Sequence, residues 1–207
     1  CDSCDARFPW FRCGQTSIPW MFPEPELTRL DWKARYNGFL QANSAEQARL
    51  SKGLGESRNS IAGRRRINRV LKGRKQHREQ VTQLIAPLEP RDLDWPADSA
   101  DHLHRKLPRN QGLSSYTSNI FRDWAWDNGE SEALLIAMDR VLKADSRKEL
   151  GKVLTLGAGA CRLPYDVHRK YQPELSVVAD INPLLLQVGS AVISGETITL
   201  HEFPIAP

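Results

Sequence analysis

No apolar run in the 207 residues approaches the roughly 18 needed to span a bilayer, so a membrane partner is not expected. No signal-peptide pattern opens the chain. Cysteine is sparse. Cys1, Cys4, Cys13 and Cys161 are too few and too scattered for a disulfide scaffold at this length, and a reducing, cytoplasmic setting is the expectation. Acids are absent between Arg58 and Arg78, where nine Lys or Arg stand. Elsewhere the charges are mixed. A net charge of +4, with 40% hydrophobic and 26% charged residues, is ordinary for a globular chain, so any basic surface must be local. An initiator Met is also missing ahead of Cys1. The chain stops at Pro207, just after a predicted third strand, and the expectation is an incomplete copy of a longer protein.

The stretch from Lys152 to Leu186 organises what is present. Val153 to Leu156 is a short apolar run that suits a buried parallel strand. Gly157-Ala158-Gly159 makes a tight turn. Leu163, Val167 and Tyr171 are spaced by four and mark a helix. Leu175 to Ala179 reads as a second buried strand, ending at Asp180. This is one βαβ unit of about 30 residues. Glycines let the backbone turn sharply and approach a ligand closely. An acid after the second strand can accept both hydroxyls of a ribose. Asp180 follows Gly157 by 23 positions, close to the offset expected for that role. The third glycine of Gly-x-Gly-x-x-Gly is lacking. Arg162 occupies its place and disfavours a dinucleotide oxidoreductase. An ordinary βα turn, with glycines for steric reasons only, is the plain alternative.

The turn and the segment Asp180-Ile181-Asn182-Pro183 resemble the first two motifs of class I S-adenosylmethionine-dependent methyltransferases. Arg122-Asp123-Trp124, followed by Gly157-Ala158-Gly159-Ala160-Cys161-Arg162-Leu163, is distantly similar to the carnosine N-methyltransferase-like family. The resemblance covers Ser114 to Pro207. It implies an α/β, Rossmann-like methyltransferase core of which the first three strands are present. It further implies S-adenosyl-L-methionine as cofactor, bound by Tyr116, Arg122, Gly157, Ala158, Gly159, Arg162, Asp180, Ile181 and Asn182. Thr155 stands where that family usually has an acid, and Cys161 where it usually has a glycine. A structural salt bridge with a buried indole is the other reading of Arg122-Asp123-Trp124.

Residues 1–22 resemble the second half of a Trm112-like zinc ribbon: Cys1-x-x-Cys4, then Phe8-Pro9 and Ile18-Pro19. Cys1 and Cys4 are the implied metal ligands. A structural zinc needs four, so the missing pair lies upstream or the site has decayed. Residues 23–88 form a helical region. Trp32, Tyr36, Phe39 and Leu40 make a packing stripe, and Ser44 with Gln47 suits the cap of a second helix. The basic stretch over 58–88 is a solvated face with arginine stems on apolar surface, or a surface for nucleic acid or phosphate. Residues 89–112, with Pro90, Pro96, Pro108, His102 and His104, form a linker. Residues 113–207 are the methyltransferase part. In it, Leu134, Leu135, Met138, Val141 and Leu142 mark a helix packed on the sheet, and Thr197 to His201 reads as the third strand by alternation.

The expected function is methyl transfer from S-adenosylmethionine to a small molecule or peptide, with RNA left open as partner. Residues that act on substrate are expected beyond Pro207. A three-stranded parallel half-sheet leaves an edge for further chain or a partner to cover. The alternative is a non-enzymatic binding module, with ribbon and basic helix, on a degenerate methyltransferase scaffold. Thr155 and Cys161 favour that alternative, whereas Asp180, Gly157 and Gly159 favour the enzyme.

Overall fold

The computed structural model of the chain describes residues 8–13, 16–22, 24–56, 60–88, 113–127, 129–144 and 150–203. Over these residues the fold is mixed α/β, mostly helical, with two small sheets. It divides into two units, residues 1–114 with 199–207 and residues 115–198. Cys1 and Cys4, the expected zinc ligands, lie outside the described residues, as does the expected linker with His102 and His104.

The first unit opens on an antiparallel hairpin, β1 (Trp10–Cys13) and β2 (Thr16–Pro19), with Phe11 opposite Ile18. Phe11 and Trp20 are buried, their rings edge to face at 5.6 Å. Helix α1 (Pro25–Gly55) follows, with proline in its first turn, where a missing N–H leaves nothing unpaired. The expected break at Ser44 does not occur. Gln47 instead donates along the helix to Asn43 Oδ1 at 2.5 Å, and α1 runs on to Gly55, where Glu56 N donates to the Gly53 carbonyl. The aromatic stripe is core, with Trp32, Tyr36 and Phe39 all buried.

Helix α2 (Ile61–Ile85) starts at Ser60, whose hydroxyl caps it by accepting from Gly63 N at 3.1 Å. It lies along α1, and the Tyr36 hydroxyl donates to Thr82 Oγ1 at 2.8 Å. Val81 and Ile85 are buried, as is Leu88 in the 3-10 turn Ala86–Leu88.

The predicted third strand is not a strand. Residues 199–203 belong to the first unit, where they lie against α2. His201 N donates to His77 Nδ1 at 3.3 Å, and the Phe203 ring meets the His77 ring edge to face at 5.6 Å. The Arg74 guanidinium covers Phe203 at 4.6 Å. Alternation of Ile198 and Leu200 sorts side chains between faces, but it supplies no ladder partner, and these aromatic anchors decide where the segment goes.

In the second unit, helices α3 (Leu113–Trp124) and α4 (Glu130–Ala144) precede β3 (Lys152–Leu156), α5 (Arg162–Tyr171), β4 (Leu175–Ala179) and α6 (Pro183–Ile193). β3 and β4 pair in parallel from Lys152↔Leu175 to Leu156↔Ala179, with α5 as the crossover. The strands fall within a residue of their predicted bounds. Burial was expected on both faces, as in most parallel sheets. One face is open instead: Leu154, Leu156, Leu175 and Val177 are 61%, 74%, 48% and 46% exposed.

Helix α4 also differs from expectation. None of its residues is buried, and polar groups fasten it to α5. Lys170 Nζ and the Tyr171 hydroxyl each reach Asp139 at 2.6 Å, and they hold its carboxyl below the usual range. α6 is the most deeply buried helix of this unit. Asn182 caps it, accepting from Leu184 N and Leu185 N, and Pro183 fills the first helical position. Leu184, Leu185 and Val188 are buried.

Gly189 brings α6 against the turn after β3. A Cβ at Gly189 lies 2.6 Å from Ala160 O and 2.9 Å from both Cys161 Cβ and Sγ. Gly189→Ala is therefore expected to cost about 1–3 kcal/mol in urea unfolding. Cys161→Gly should restore part of this, because the Ala160 carbonyl stays in the way.

A second expectation concerns acid. Burial, with added repulsion from His201 and Arg74, pushes the His77 pKa down from 6.5 to about 4. The neutral ring accepts from His201 N. The unfolded chain protonates His77 near 6.5 and the folded chain near 4. The stability present above the higher value is thus lost as pH falls between them, at up to about 1.4 kcal/mol per pH unit. Urea midpoints of the first unit should drop over that window, and less steeply in His77→Phe.

Candidate functional site

The site forms where β3 and β4 end. Gly157 and Gly159 take φ of +67° and +57°, a region that L side chains rarely adopt. A Cβ at Gly157 meets nothing within 4 Å, so the backbone there is open to a ligand. Cys161 is also left-handed at φ +67° without being glycine, at a cost of roughly 1–2 kcal/mol. Its thiol is buried, and burial, then Asp180 and Asp123, pushes its pKa up to about 11. It is an unreactive filler between the turn and α6.

Each amide from Ala158 to Cys161 has a partner. Ala158 N donates to Ala179 O at 3.2 Å, and Cys161 N to Ala158 O at 3.0 Å. Between them, Gly159 N donates to Asp180 Oδ2 at 2.8 Å, and Ala160 N to Asp123 Oδ2 at 2.9 Å. Two carboxylates therefore brace the two central amides. Asp180 Oδ1 accepts in addition from Asn182 N at 2.8 Å. A carboxylate offers about four lone-pair sites, so Asp180 keeps acceptor capacity for a ligand.

The Arg122-Asp123-Trp124 segment closes the other side. Arg122 pairs with Asp123 Oδ1 at 2.9 Å, and Trp124 Nε1 donates to Ala160 O at 2.7 Å. The guanidinium of Arg162 lies 5.3 Å from the Trp124 ring and pairs with Asp166 at 2.7 Å. The salt bridge of the structural reading is thus present, with the indole half-buried rather than buried, and Arg122, Asp123 and Arg162 also line a cavity.

That cavity, about 190 Å³, is bounded by Arg122, Asp123, Ser131, Leu134, Thr155, Gly157, Ala158, Gly159 and Arg162. A second, of about 660 Å³, shares Arg122, Asp123, Ser131 and Arg162 with it and extends past Trp124, Trp126, Asp127, Glu132, Arg169 and Lys170. The smaller alone is below the usual size of a small-molecule pocket, and the larger falls within it.

Of the residues singled out from sequence, Arg122, Gly157, Ala158, Gly159 and Arg162 meet around the smaller cavity. Asp180 joins them through Gly159 N. Tyr116 and Ile181 line neither cavity. Asn182 is buried as the cap of α6 and holds Asp180 through its own backbone N–H. Asp123 as a turn brace and Gly189 as a point of close approach were not anticipated. Asn182-Pro183, a cap followed by proline, was the available signal for α6. A glycine inside the apolar run that follows was the signal for close packing.

Among the described residues no group of three or more His, Cys, Asp or Glu is placed to hold a metal ion.

Removing the Asp123 brace should loosen the turn. Asp123→Ala is expected to lower the stability of the second unit by about 1–3 kcal/mol in denaturant unfolding, since Ala160 N loses its acceptor. Trp124→Phe should cost less, about 1 kcal/mol. A brief alkylation pulse at about pH 8, read by peptide mass mapping, should leave Cys161 unmodified until the chain unfolds.

No family model, no curated protein and no solved structure matches the chain.

Proposed function

We propose that the chain is the cofactor-holding part of an S-adenosylmethionine-dependent methyltransferase with a Rossmann-like core, acting on a small molecule or peptide. One observation carries this reading. The amides of residues 158 to 161, which in a diphosphate site would face phosphate oxygens, are all bonded, the central two to carboxylates. Two acids at the turn repel a diphosphate and suit a cofactor that carries positive charge there. This argues against the dinucleotide alternative more strongly than Arg162 does.

The residues fit S-adenosylmethionine on three counts. The backbone over Gly157 is open. Asp180 has spare acceptor positions at the end of β4, suited to the ribose hydroxyls. Arg122 and Arg162 flank the smaller cavity, where one of them would meet the methionine carboxylate. When bound, the cofactor supplies an electrophilic methyl group on a sulfonium. The chain's own residues bind and orient. Asp180 fixes the ribose, Gly157 admits close approach, and Asp123 with Trp124 keeps the turn in place. A positioned cofactor contributes to rate by removing the entropy of bringing reactants together. A structural zinc in the ribbon-like segment and the identity of the methyl acceptor belong to the same proposal.

Calorimetric titration of S-adenosylhomocysteine tests it. Micromolar binding is expected, weakened ten-fold or more (about 1.4 kcal/mol) by Asp180→Ala. Asp180→Asn keeps an acceptor and should lose less. NAD⁺ should not bind. A folded chain that ignores S-adenosylhomocysteine, or prefers NAD⁺, would overturn the reading.

A further inference from the structure

Helix α2 carries a concentrated positive charge. It holds eight Lys or Arg against one Glu, a net +7 in a chain whose total is +4, which leaves the remainder at −3. Such asymmetry in one element points to an anionic partner. Arg74 turns inward to Glu46 at 3.6 Å and to Phe203. Arg65, Arg66, Arg69, Lys72, Lys75 and Arg78 are exposed and form no ion pair among the described residues. At the rise of a helix, Arg65 to Arg78 covers about 20 Å. At about 100° per residue, Arg65, Arg69 and Lys72 share one stripe. Arg66 lies on one flank of it and Lys75 on the other, while Arg78 lies further round, toward the side of Ile85.

We propose that this outer face of α2 binds the phosphate backbone of double-helical DNA. Cations on both flanks of a rod about 10–12 Å wide match a groove about 12 Å wide with phosphates along both walls. A-form RNA offers only a narrow major groove to such a rod. α2 has no Phe, Trp or Tyr, so it lacks the stacking platform that single strands use. A membrane surface is also a poor match. An interfacial helix inserts its apolar face, whereas here Val81 and Ile85 are buried and Ile61 is the exposed large apolar residue of the helix. The face is preorganised, because Tyr36–Thr82 and Arg74–Glu46 fix α2 on α1. Phosphate contact without base contact gives sequence-independent binding that is steep in salt.

Fluorescence anisotropy of a labelled mixed-sequence DNA duplex of about 20 base pairs, titrated with the whole chain, tests this. Micromolar binding is expected at about 50 mM KCl, with log affinity falling on log salt at a slope of about −4.5 if Arg65, Arg66, Arg69, Lys72 and Lys75 engage. Replacing Arg65, Arg69 and Lys72 together by Gln, which keeps helix propensity, should weaken binding at least ten-fold and reduce the slope by about 3. Circular dichroism should stay unchanged. Lys143→Gln, on α4, should bind as the parent does. The proposal is overturned by absence of binding at low salt, or by binding that the triple substitution leaves intact. Equal or tighter binding to a single strand, an RNA duplex or anionic vesicles would overturn it too.

Discussion

Two carboxylates hold the backbone between β3 and α5, and the second unit depends on that arrangement. Asp180, from the end of β4, takes the amide of Gly159. Asp123, from the end of α3, takes the amide of Ala160. The turn is thereby tied both to the neighbouring strand and to the helix two elements earlier. Removing either acid strands a buried-side donor, which is more costly than the modest net worth of a bond in place. The brace also sets the chemistry. A turn whose amides already face carboxylates has little to offer an anion and much to offer a ligand with a positive centre and a hydroxyl pair.

Packing around the turn follows from the same constraint. With residues 159 and 160 fixed, Cys161 is forced to a left-handed backbone and its side chain points into the body of the unit. α6 closes over it only because residue 189 has no side chain. Asn182 ends the loop after β4 and begins α6, while its N–H steadies the Asp180 carboxylate. One short loop thus serves as helix cap and as support for the acid. The first unit is built on other terms. Buried aromatics on α1 and the contacts of His77 on α2 with Phe39 and Phe203 fix its helical pair, and the outer side of α2 is left strongly basic.

Much of the βαβ unit was legible in the sequence because its signals are local. Apolar runs of four and five residues, glycines in the turn and a four-residue spacing in α5 each specify geometry without reference to distant chain. Both strands lie within a residue of expectation for that reason. The signals failed where tertiary contacts decide. Alternation over Thr197 to His201 looked like a strand, but His77 and Arg74 on α2 hold that segment. Ser44 looked like a cap, but α1 continues because its neighbours bond along the helix. The apolar residues of α4 suggested sheet packing, whereas Asp139 ties that helix to α5 through Lys170 and Tyr171. In the site, Asp180 was recognisable by its distance from the glycines. Asp123 stood out within Arg122-Asp123-Trp124, but its bracing role did not, since its partner amide lies 37 positions away.

The account stands or falls on whether the turn is formed before any ligand arrives. Amide hydrogen exchange at Gly159 and Ala160, followed residue by residue in the ligand-free chain, reports this directly. Slow exchange at both amides is predicted, with protection lost first at Gly159 in Asp180→Ala and first at Ala160 in Asp123→Ala. Exchange of both at the rate of an unfolded chain, in a protein whose β3 and β4 amides remain protected, would contradict a preformed turn and the site built on it.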